Sequence, residues 1–144
     1  MSSGTLTVMQ ISLSKRGDYA VRAVLDLARH AGDGRRKTRE IAAAMNIPAG
    51  YLSQILAALV QSGLAVATAG REGGYQLARP AESISLLDVI QAMDGPIGVR
   101  ECLLRGIPCG VDGHCAVHDA WSRAQDALNA ELASTGFAEL ARRT

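Results

Sequence analysis

The residues best suited to chemistry are the three cysteines, Cys102, Cys109 and Cys115, which all fall within fourteen residues and are followed by His118. The pattern is Cys-x6-Cys-x5-Cys-x2-His. An odd number of thiols argues against a disulfide framework. A nucleophilic cysteine needs one activated thiol, not three gathered in a glycine-rich stretch. Three soft thiolates and an imidazole suit zinc or an iron–sulfur cluster. Zinc sites prefer about two to four residues within a ligand pair, so spacers of six and five are long for zinc. A cluster presents several iron corners and accepts a wider loop. Spacing therefore favours a cluster and leaves zinc open.

A second group of residues could read nucleic acid. The chain has 144 residues, 15 Lys/Arg and 14 Asp/Glu, a net charge of +1 that hides a division. Residues 14–79 hold ten Lys/Arg and five Asp/Glu, a local +5, while residues 80–144 hold five and nine, a local −4. A basic half joined to an acidic half suggests one face for a phosphate backbone and another for a different task.

The elements that must position these groups follow from periodicity. Tyr19, Val21, Val24, Leu25, Leu27 and Ala28 predict a helix over 14–30, stopped at Gly32-Asp33-Gly34. Thr38 is the expected N-cap of a short helix over 39–45 with Ile41, Ala42 and Met45 inward. Asn46-Ile47-Pro48 makes a turn, and Pro48 opens a helix to about residue 62 that buries Tyr51, Leu52, Ile55, Leu56, Leu59 and Val60. That is a helix-turn-helix. Strands over 64–68 and 75–78 around a glycine-rich tip add a wing. Ser85-Leu86-Leu87-Asp88 starts a further helix to about Met93. Residues 99–113 read as irregular. A long helix over 114–134 then carries Val117, Trp121, Ala124 and Leu128 as a narrow seam suited to one partner helix.

The fold class is thus mainly α with a small β-hairpin wing: a winged helix-turn-helix plus a long C-terminal dimerisation helix. The expected organisation is a flexible segment over 1–12, a DNA-binding domain over 13–80, and a dimerisation region over 81–144 with the cysteine-rich loop at 99–118. Aromatic residues are 3% of the chain, so Ala, Leu, Val and Ile must build the core. No stretch approaches the roughly 18 apolar residues of a membrane span. Met1–Met9 lacks the basic start and long apolar stretch of a signal peptide, so a cytoplasmic protein is expected. No nucleotide fingerprint or second redox motif is present, which argues against an enzyme or electron carrier.

The residues also resemble a known family, the iron–sulfur winged-helix transcription regulators of the IscR/NsrR-like group. The resemblance spans 11–140 and rests on four motifs. They are Leu13-Ser14-Lys15-Arg16-Gly17-Asp18-Tyr19, Tyr51-Leu52-Ser53-Gln54-Ile55-Leu56, Gly73-Gly74-Tyr75-Gln76-Leu77 and Cys115-Ala116-Val117-His118-Asp119-Ala120-Trp121. It implies a homodimeric transcription regulator, usually a repressor, on double-stranded operator DNA, with no membrane partner and no small-molecule substrate. In one branch of the family, three cysteines and the following histidine hold a 2Fe–2S cluster, which maps onto Cys102, Cys109, Cys115 and His118. In the other, a 4Fe–4S cluster takes three cysteines and an aspartate from the partner's first helix, which maps onto Asp18. The histidine-ended motif favours the first, and no family motif matches His114. The family's wing arginine falls on Ala69 and a recognition-helix glutamate on Ser53, so discrimination by that glutamate does not carry over.

For the DNA contacts, the N-terminal part of the second helix nominates Ala49, Tyr51, Ser53 and Gln54 for base edges. Arg71 at the wing tip suits a narrow minor groove. Lys15, Arg16, Lys37 and Arg39 suit phosphates. Near-neutral total charge implies modest nonspecific DNA affinity. A different class of reading, a zinc-stabilised or cofactor-free regulator controlled by a protein partner, accounts for the same helices.

Overall fold

The computed structural model describes residues 12–95 and 117–143. Cys102, Cys109, Cys115 and His114 lie outside the described residues. The first helix, α1 (Lys15–Arg29), is capped by Ser14, whose Oγ accepts from the Gly17 N–H at 3.0 Å. Ala20, Ala23, Val24, Leu27 and Ala28 face the core at helical spacing, so α1 becomes the post around which four of the other helices pack.

Two helices form the helix-turn-helix, α2 (Thr38–Met45) and α3 (Ala49–Gln61), bent 112° to one another. Between them Asn46 adopts a left-handed conformation (φ 56°), one an asparagine tolerates, and turns the chain so that Ile47 plugs the core. Leu52, Ile55, Leu56 and Leu59 are fully buried, whereas Tyr51 and Val60 are only half-buried. Thr38 is not the cap expected for α2. It is the first helical residue, and Lys37 occupies the cap with its N–H donated to Glu40 Oε1 at 2.7 Å. The carboxylate three residues on satisfies the helix start, so no hydroxyl is needed.

After Gly63 (φ 79°) the chain enters the wing, β1 (Ala65–Thr68) and β2 (Gly74–Leu77), antiparallel with Ala65 opposite Leu77 and Thr68 opposite Gly74. Arg36 adds a rung on the outer side of β2, exchanging backbone hydrogen bonds with Tyr75 at 2.8 and 2.7 Å. Helix α4 (Leu86–Asp94) opens with the expected capping box: Ser85 Oγ accepts from Asp88 N–H, and Asp88 Oδ2 from Ser85 N–H.

Helix α5 (His118–Ser134) lies against α4 and buries none of its residues. Val117 sits just before it, Trp121 and Leu128 are half-buried, and Ala124 is exposed. A short α6 (Phe137–Arg142), absent from the sequence reading, returns to α1. The chain's one phenylalanine, Phe137, is fully buried there, which contributes about 1.5–3 kcal/mol. Gly136 bridges to Ser85, and Phe137 N–H donates to the Ile84 carbonyl at 2.9 Å. Ile84, Val89, Met93 and Phe137 belong to the same core as α1 and α3.

Candidate nucleic-acid interface

The inward stripe of α3 leaves the other face to solvent, where Ala49, Ser53 and Gln54 are exposed. Ser53 Oγ donates to the Ala49 carbonyl at 3.3 Å, a weak local bond that a base edge could displace. Tyr51 has a different setting. Its ring meets Tyr19 edge-on, with centroids 5.1 Å apart and planes at 75°, so much of its surface joins α3 to α1. That contact sets the first turn of α3 beside the first turns of α1, which carry Lys15 and Arg16, both exposed.

Asp18 is exposed on one side and held on the other by Arg22, which donates from Nε at 2.9 Å and from Nη2 at 3.1 Å. Arg22 also reaches the Met45 carbonyl at the end of α2 (3.3 Å) and lies over the Tyr19 ring at 5.6 Å. A cation at that carbonyl suits the negative end of α2. His118 is the first residue of α5 and is half-buried. Asp94, the last residue of α4, accepts from Ser14 Oγ at 2.9 and 2.8 Å. The point where the chain leaves for the cysteine segment is thereby clasped to the cap of α1.

The wing is tied down by cations that sequence reasoning either missed or assigned elsewhere. Asp26 is 1% exposed and receives a fork from Arg36, with both bonds at 3.0 Å. Hydrogen bonding to Asp26 outweighs desolvation and raises the Arg36 pKa above its ordinary value. His30 Nδ1 lies 2.9 Å from the Asp26 carbonyl oxygen. The signal in the sequence was an aspartate three positions after inward-facing Ala23, on a stripe that is otherwise apolar. Glu40 titrates below the usual carboxylate range, chiefly because the Lys37 N–H donates to it.

Lys37, nominated for phosphate, instead places its ammonium on the carbonyls of Arg71 (2.8 Å) and Gly73 (3.1 Å). A groove of about 490 Å³ lies between the start of α2 and the wing, with Lys37, Thr38, Ala67 and Tyr75 among its lining. Arg71 itself is exposed at the tip, and Arg39 is exposed on α2. The Tyr19–Tyr51 contact joins α3 to the first turns of α1, and Lys37 joins the wing tip to the start of α2, an arrangement that suits a duplex. Among the described residues, no group of three or more His, Cys, Asp or Glu side chains could hold a metal.

Comparison with known proteins agrees with this geometry. A family model, Rrf2, described as an iron-dependent transcriptional regulator, matches residues 13–143. A helix-turn-helix-type transcriptional regulator of Mycobacterium tuberculosis is 38% identical over 130 residues, covering 90% of this chain and 80% of the relative. The transcriptional regulator IscR of Photorhabdus laumondii is 32% identical over 128 residues, covering 89% of this chain and 77% of the relative. Among solved structures, CymR, the global cysteine regulator of B. subtilis, superposes with a TM-score of 0.83 at 30% identity, covering 94% of this chain and 99% of the other.

Proposed function

The chain belongs to the Rrf2 family of helix-turn-helix transcriptional regulators, which are not enzymes, and from that premise we propose that it is a homodimeric, cytoplasmic repressor sensing redox state, nitric oxide or iron–sulfur supply through an iron–sulfur cluster. The observation that carries the DNA half of this reading is the exposed face of α3 with Ser53 and Gln54, flanked by Lys15, Arg16, Arg39 and Arg71 from three other elements. Gln54 pairs with an adenine edge, Arg71 enters the minor groove, and Lys15, Arg16 and Arg39 neutralise phosphates. Two copies joined through α5 give the fixed spacing that a two-fold operator requires.

The donor set supports the sensing half. Cys102, Cys109, Cys115 and His118 supply three soft ligands and one borderline ligand, which suit iron–sulfur chemistry. Bound there, a cluster supplies iron that reacts with oxidants and nitric oxide. The bidentate grip of Arg22 on Asp18 weighs against Asp18 as the fourth ligand, because ligation would strip Arg22 of its carboxylate, and so it supports His118 and a 2Fe–2S cluster over 4Fe–4S. The Ser14–Asp94 clasp gives that segment a mechanical route to α1 and its two DNA-facing cations.

A second reading keeps the DNA half and replaces the sensor. The likeness to CymR, a cofactor-free member of the family, is compatible with this reading, a zinc-stabilised or cofactor-free regulator controlled by a partner protein. Anaerobic purification with iron, sulfide and zinc analysis separates the two. We expect coloured protein with two irons per chain, lost in His118→Ala and kept in Asp18→Ala. Binding to a duplex selected from a random-sequence library should fall when the cluster is removed. Colourless protein without iron that binds that duplex unchanged would overturn the sensing half.

A further inference from the structure

Arg35-Arg36-Lys37 is a run of three cations just before α2, of which the sequence nominates Lys37 for phosphate. In the folded chain each member is turned onto protein. Arg35 Nε donates to Thr68 Oγ1 at the end of β1, at 2.9 Å. Arg36 pairs its backbone with Tyr75 in β2 and forks its guanidinium onto buried Asp26 in α1. Lys37 gives its backbone N–H to Glu40 in α2 and its ammonium to two tip carbonyls, Arg71 and Gly73. We propose that this run is a brace that indexes the wing to the helix-turn-helix, and that Lys37 is a positioning residue aiming Arg71.

The physics of the hairpin calls for such a brace. Two four-residue strands are marginal on their own. The tip carries Gly70 (φ 100°), Gly73 and Gly74 (φ 146°), residues whose freedom in the unfolded chain opposes order. The first strand is largely exposed, so little apolar burial holds the hairpin down. An ammonium offers three donors, and at Lys37 two of them close on carbonyls two residues apart across the tip. One of those carbonyls belongs to Arg71, so the bond fixes the backbone from which the tip arginine projects. Because Lys37 also caps α2, wing and recognition helix move as one body.

The aiming role rests on the DNA-binding reading, whereas the brace does not, and the test separates them. Amide exchange in the free protein is compared for wild type, Lys37→Met and Lys37→Gln. Lys37→Met should speed exchange over residues 70–74 about ten-fold or more with unchanged helix content, and Lys37→Gln, which keeps amide donors, should recover part of that protection. Binding to the library-selected duplex is then titrated with salt. A positioning residue weakens binding yet leaves the salt slope unaltered, and its effect shrinks in an Arg71→Ala background. A phosphate contact lowers the slope by about 0.9 per protomer and adds to Arg71→Ala. Unchanged tip exchange with a reduced slope would overturn the brace. Faster exchange in a protein that binds no duplex would uphold it and refute the DNA reading instead.

Discussion

At the scale of single residues, two glycines show why the wing has the shape it has. Gly74 lies at φ 146°, and a Cβ there would sit 2.6 Å from the Arg36 carbonyl oxygen, the acceptor of the rung that joins Arg36 to Tyr75. Gly70 is also left-handed, at φ 100°, but nothing lies within 4 Å of its would-be Cβ. Alanine at the two positions therefore separates backbone strain from collision. Gly70→Ala bears only the strain of positive φ, about 1 kcal/mol, whereas Gly74→Ala bears strain and clash together, about 2–3 kcal/mol or more. Urea unfolding measures both. Equal losses would mean that the Arg36 rung yields easily and does not hold the wing. The sequence showed a glycine-rich tip but not that Gly74 meets Arg36, because that neighbour lies thirty-eight positions earlier, whereas Gly73 meets the nearby Thr68 carbonyl.

At the scale of elements, what could be read in the sequence was whatever local spacing dictates. α1 and α3 were legible because their apolar residues recur over three or more turns, and the wing because glycine marks both its ends. The start of α2 was read one residue late, since Glu40 rather than a hydroxyl satisfies it. α6 escaped notice because six residues are too few to show a period, and its worth lies in Phe137 reaching a core formed by distant segments. The brace was illegible for a related reason: charge type is visible in a sequence, but the partner of each charge is not. α5 was read as a long helix with a narrow seam suited to one partner helix; it lies against α4 with Trp121 and Leu128 half-buried, and none of its residues is fully buried. A helix of seventeen residues with that exposure, on the acidic half of the chain, is well placed to bury its seam against a second copy. We expect Leu128→Glu, alone or with Trp121→Glu, to shift the protein from dimer to monomer in sedimentation velocity while circular dichroism keeps the helix content. Operator affinity should drop at least a hundred-fold as the second half-site is lost. A monomeric wild type would remove α5 as the dimer handle.

At the scale of the whole molecule, the local +5 of residues 14–79 overstates the charge available to DNA. Of its ten cations, Arg22, Arg35, Arg36 and Lys37 are bonded to side chains or carbonyls of their own half, while Arg79 pairs with Asp88 and Arg29 reaches the Arg143 carbonyl, both at 3.3 Å, in the other half. Among the described residues of that half, Lys15, Arg16, Arg39 and Arg71 have side chains without such a bond. If Arg71 enters the minor groove as proposed, three cations per protomer are left for phosphate, and six for the proposed dimer. Each neutralised phosphate releases about 0.9 counterion, so log K for the selected duplex should fall with log salt at a slope near −5. Random duplex should show a slope no steeper, because it meets the same few cations without the wing and base contacts that fix their register. Arg39→Ala should reduce the operator slope by about 1.8, the share of two protomers. A slope near −11 would mean that the Arg35–Lys37 run leaves its intramolecular partners to meet phosphate, and the wing would then be held by DNA and not by the protein.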